Sequence, residues 1–62
     1  MYRVLIEANG QTAYQREVST KAYAIFEAKE LACAAGDAVK VASEVDLARY
    51  QTTNGFIRAV AL

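Results

Sequence analysis

The sequence predicts an α+β fold: a four-stranded antiparallel sheet, β-β-α-β-β in chain order, with one helix packed on one face. Three observations predict it. Residues 2–8, "YRVLIEA", alternate Tyr2, Val4 and Ile6 against Arg3, Leu5 and Glu7, the two-residue period of a strand. Asn-Gly occurs twice, at 9–10 and 54–55, and this dipeptide is the strongest short-range hairpin signal. Between the two lies "KAYAIFEAKELACAA", preceded by Ser19-Thr20 and followed by Gly36, a helix with its start and stop residues in place.

In the first hairpin, "TAYQREVS" returns after Asn9-Gly10. A strict two-residue turn would put Arg3 opposite Arg16 and send Val18 away from Val4 and Ile6. A three-residue loop with a bulged glycine instead puts Tyr14 and Val18 on the face of Val4 and Ile6. Arg3 then faces Gln15 or Glu17. The second register is expected, because like charges directly opposite each other are destabilising.

The helix is expected from about Lys21 to Ala35, with Ser19 or Thr20 as N-cap and Gly36 as a left-handed C-cap. "DAVKVAS" reads as a strand with Val39 and Val41 on one face. "EVDLARYQTT" is ambiguous between a short helical turn and a strand. Within it, residues 44–48 read as a connection or bulge and 49–53 as the strand entering the last hairpin. Asn54-Gly55 supplies that hairpin's turn, and "FIRAVAL" closes the sheet. The apolar "RAVAL" is expected to form a sheet edge open to pairing with a second copy.

The chain has 62 residues, 55% of them hydrophobic and 23% charged. That is enough apolar surface for one domain, residues 1–62, and too much for a disordered tail. Seven basic and seven acidic residues cancel, which argues against broad electrostatic capture of nucleic acid or of an anionic membrane. With no histidine and one cysteine, Cys33, neither a disulfide nor a common transition-metal site can be assembled. No cofactor, metal or catalytic residue is expected, and so no enzyme. "MYRVLIEANG" lacks the pattern of a signal peptide and no stretch approaches a membrane span. The expected location is cytoplasmic.

At about 100° per residue, Ala24, Ile25, Ala28, Leu31, Ala32 and Ala35 fall in a sector of about 120°, the width of a core-facing stripe. Tyr23, Phe26 and Cys33 lie off it. Two coverings are open: residues 45–50 could fold back over Phe26 with Leu47 and Tyr50, or another molecule could dock there, since aromatic anchors dominate many interfaces. Cys33 is no redox candidate, because the C-terminal end of a helix dipole disfavours the thiolate. Glu27 and Glu30 flank Lys29 and read as a solvated charged face. Glu44 and Asp46 read as turn residues.

The run "REVSTKAYAIFEAKELA" resembles a pattern in short phage and mobile-element proteins, in which a strand ending in Val leads through Ser/Thr into a helix with small residues spaced as at Ala24, Ala28 and Ala32. Single-domain anti-CRISPR inhibitors are among them. The resemblance implies a non-enzymatic inhibitor that occupies a partner's surface. The leading expectation is therefore a small protein-binding module using Tyr23, Phe26 and Cys33, with another protein or a second copy as partner. The alternative is a single-stranded nucleic-acid binder using Arg3, Phe56 and Arg58 on the uncovered sheet face.

Overall fold

A computed structural model describes all residues, Met1–Leu62. The elements are β1 (Tyr2–Ala8), β2 (Gln11–Val18), α1 (Lys21–Ala35), β3 (Val39–Lys40), β4 (Ala48–Gln51) and β5 (Gly55–Ala61). The α+β class holds, but the antiparallel sheet has five strands, in the order β2-β1-β5-β4-β3. The additional strand arises because both Val39–Lys40 and Ala48–Gln51 pair, with residues 41–47 as the excursion between them. The helix carries the chain from one edge of the sheet to the other, and the first and last strands lie side by side at its centre.

The first hairpin keeps the expected face assignment by a different device. Asn9 (φ 55°) and Gly10 (φ 77°) both adopt left-handed backbone, and Ala8 pairs directly with Gln11. The turn is thus the two-residue, type I′ form. The extra residue sits further along β2, where Ile6 pairs with Tyr14 and Glu7 with Thr12, leaving Ala13 bulged. That bulge restores the even register: Val4 faces Arg16, Tyr2 faces Val18, and Arg3 faces Glu17.

The second Asn-Gly is not such a turn. Neither Asn54 nor Gly55 has a positive φ, and Gly55 already belongs to β5, paired with Ala8. A Cβ there would stand 1.9 Å from the Glu7 carbonyl oxygen. Gly55 is required by the close approach of β1, not by turn geometry. The reversal uses Thr52, whose backbone N–H bonds the Gly55 carbonyl and whose hydroxyl accepts from the Gly55 N–H.

α1 starts on Thr20, whose hydroxyl accepts from the Tyr23 N–H, and ends on left-handed Gly36 (φ 82°), whose N–H bonds the Ala32 carbonyl. Ala24, Ala28 and Ala32 seat it on Val4, Val18, Ala48, Tyr50, Ile57 and Ala59. With so much alanine on the facing surfaces, helix and sheet pack closely and leave little room for larger side chains. The buried stripe is displaced from the expected one: Ile25 and Leu31 are half-buried, Ala35 is exposed, and Glu27 joins the three alanines in the interior. Leu47 and Tyr50 belong to this core or pack against it. They do not cover Phe26.

Two further expectations are corrected. Val39 is exposed and Val41 half-buried, because β3 is only two residues long and lies at the sheet edge. "RAVAL" is no edge, since β5 is paired on both sides, to β1 and to β4. No helix is long and apolar enough to cross a membrane.

Candidate interaction surfaces

The outer crest of α1 is the first candidate. Phe26 is 56% exposed and Tyr23 43%, and their ring centroids lie 6.1 Å apart in a tilted arrangement. Three-residue helical spacing brings them together. The Arg16 guanidinium from β2 lies 5.8 Å from the Tyr23 centroid, within cation–π range. Cys33 is exposed on the same crest two turns on. It borders a different groove, with Lys29, Gly36, Ala38, Lys40 and Tyr50, so only the two aromatics form a joined patch.

Beneath Tyr23 lies a group that the helical count misassigned. Glu27 is buried, not solvated. The Tyr14 hydroxyl donates to its Oε2 at 3.0 Å, and Arg16 Nη1 lies 3.4 Å from Oε1. Burial of a carboxylate demands such partners. Arg16 is held above its ordinary pKa, chiefly by the Glu27 charge. The signal for this cluster was the even register itself, which turns Tyr14 and Arg16 toward the helix on an edge strand.

The second candidate is the sheet face opposite α1. Strand alternation places Arg3, Leu5 and Glu7 of β1, Gln15 and Glu17 of β2, Phe56 and Arg58 of β5, and Arg49 of β4 on it. The three residues expected to bind nucleic acid share this face. Its arginines are engaged by carboxylates. Arg3 Nη2 bonds Glu17 Oε2 at 2.9 Å. Arg58 clasps Asp46 through Nε to Oδ2 (2.8 Å) and Nη2 to Oδ1 (3.0 Å), and its Nη1 lies 3.4 Å from Glu7 Oε1.

Asp46 reaches the face from the loop before β4. There Ser43 Oγ accepts from the Val45 and Asp46 N–H groups and turns the chain inward. The carboxylate is 1% exposed. Arg49 and Arg58 are directly opposite across β4 and β5, a like-charge pair that would be unfavourable alone. Asp46 lies against both, with Arg49 Nε 3.8 Å away. Its hydrogen bond from Arg58 holds the Asp46 carboxyl below the usual carboxylate range, and the same bond holds Arg58 above its own. The Arg49 guanidinium stacks 4.4 Å from the Phe56 centroid.

Glu27 and Asp46 are thus the two buried carboxylates of the molecule, each fastening one side of the sheet. No protein-family model, curated protein or solved structure matches this chain.

Proposed function

We propose that this chain is a non-catalytic protein-binding module, an inhibitor-type domain that occupies a surface of another protein through the crest of α1. One observation carries the reading: two large aromatics stand side by side and exposed on a helix whose other side is fixed to the sheet. Rigid aromatic anchors lose little conformational freedom on docking, so they concentrate binding energy. The sequence resemblance to short phage-type inhibitors supports the same class. With the face's ion pairs balanced and a net charge of zero, docking proceeds by shape and apolar contact rather than by acidic mimicry of nucleic acid.

The test is affinity capture with the wild-type chain and with Phe26→Asp. The variant is expected to keep its circular dichroism spectrum and lose the captured protein. Retained capture would sink the reading.

A second reading is single-stranded nucleic-acid binding on the open sheet face, favoured by the Arg49–Phe56 stack beside Arg3 and Arg58. Arginines already paired with carboxylates have little charge left for phosphates, so it ranks second. It predicts salt-sensitive oligonucleotide binding weakened by Arg3→Ala or Arg58→Ala. Absence of binding to random oligonucleotides at low salt would end it.

A further inference from the structure

We infer that the crest of α1 pairs with the same crest of a second copy of this chain, the two helices running parallel about a twofold axis directed along them. The inference rests on the protein-docking reading of this face and names its occupant.

Charge is distributed unequally on the two sides of the crest. At about 100° per residue, Phe26 and Cys33 mark a line along the outer surface of the helix. Lys29 then falls about 50° to one side and Glu30 about 50° to the other. Both are exposed, and neither takes part in an ion pair within the chain. One exposed lysine and one exposed glutamate therefore stand on opposite sides of the ridge, and Arg16, held over Tyr23, lies on the glutamate's side nearer the start of the helix.

Symmetry decides what such a ridge can meet. A twofold axis across the helices makes them antiparallel and brings like flanks together, Lys29 on Lys29 and Glu30 on Glu30. A twofold axis along the helices brings unlike flanks together, so that Lys29 of each copy meets Glu30 of the other. Flanking charges select orientation in this way in coiled coils. In the parallel arrangement Phe26 packs on Phe26, Cys33 abuts Cys33, and Tyr23 lies over Ala22 of the second copy, large against small. The zero net charge leaves no long-range repulsion to oppose the encounter. A 15-residue helix offers a ridge only about 22 Å long, so the pairing is weak and concentration-dependent.

Sedimentation velocity of the reduced protein over a concentration series tests this. The expected result is a dimer that grows with concentration. Lys29→Glu sets acid against acid on both sides and should weaken association about tenfold, each exposed pair counting for a fraction of that change. Mixing Lys29→Glu with Glu30→Lys should restore it. Mild oxidation should cross-link the wild type through Cys33 and leave Cys33→Ser uncross-linked, since the parallel pair sets the two thiols side by side, whereas the antiparallel pair centred on Lys29 and Glu30 holds them about 10 Å apart along the helices. A monomer at every concentration would overturn the inference, as would a dimer indifferent to Lys29→Glu or one that fails to cross-link. Phe26-dependent capture of a different protein by a strictly monomeric chain would leave the docking reading standing and remove this one alone.

Discussion

Asp46 shows how much a single side chain can hold in a domain this small. It closes the loop before β4, separates two opposed arginines and is all but removed from solvent. Deleting one partner of a buried, hydrogen-bonded ion pair leaves the other uncompensated. Asp46→Ala is therefore expected to cost about 3 kcal/mol in urea unfolding, a large share of the stability of about 3–9 kcal/mol usual at this chain length. The pH dependence has a defined sign. The folded Asp46 pKa lies below its unfolded value, so its contribution is complete above about pH 4 and is lost as pH falls through the folded pKa. Asp37 adds in the same direction, through hydrogen bonds from the Thr53 hydroxyl and N–H. Asp46→Asn should flatten the acid limb of a stability–pH curve. An unchanged limb would place the acid sensitivity elsewhere.

Among the elements, the two Asn-Gly sites carry the plainest contrast. Gly10 needs its positive φ and nothing crowds it, whereas Gly55 needs the absence of a Cβ. Gly10→Ala should cost about 1 kcal/mol, the ordinary penalty for a left-handed L-residue. Gly55→Ala forces β1 and β5 apart and should cost about 2–3 kcal/mol. Thermal melting of the two variants gives the order, and equal losses would refute the distinction. The same pair explains what could be read in the chain. Asn9-Gly10, Thr20 and Gly36 act through neighbouring backbone, so local residue types specify the turn and the helix limits. Periodicity likewise exposed Tyr23 and Phe26. The bulge at Ala13 has no residue signature, because any small side chain can take it. The Asp46–Arg58 clasp and the burial of Glu27 depend on which strands become neighbours, and a central β5 is settled by the whole sheet rather than by "RAVAL" itself. Only the register, from like-charge avoidance, crossed that gap.

For the molecule as a whole, the sheet edges are β2 and β3. β2 is exposed along most of its length, yet it carries a bulge and turns a charged Arg16 toward the helix side, both devices that discourage edge-to-edge pairing. β3 is too short to template a partner. Edge-to-edge association is thereby discouraged, which leaves the crest of α1 as the surface for the pairing proposed above. The placement of β1 against β5 has a mechanical consequence as well. Tyr2 pairs with Ala61, and the Leu62 N–H bonds the Met1 carbonyl at 3.0 Å, so both ends of the chain leave from the same end of the central seam. Tension applied between residues 1 and 62 pulls across that seam and loads its hydrogen bonds one after another, because antiparallel ladder bonds run perpendicular to the strands. The strands at the middle of the sheet are the first to part under such a load, like a zip opened from its tab. Pulling instead between residues 10 and 62 attaches to opposite ends of the β1–β5 ribbon and shears many bonds at once. Optical-tweezer rupture forces should be markedly lower for the first geometry than for the second.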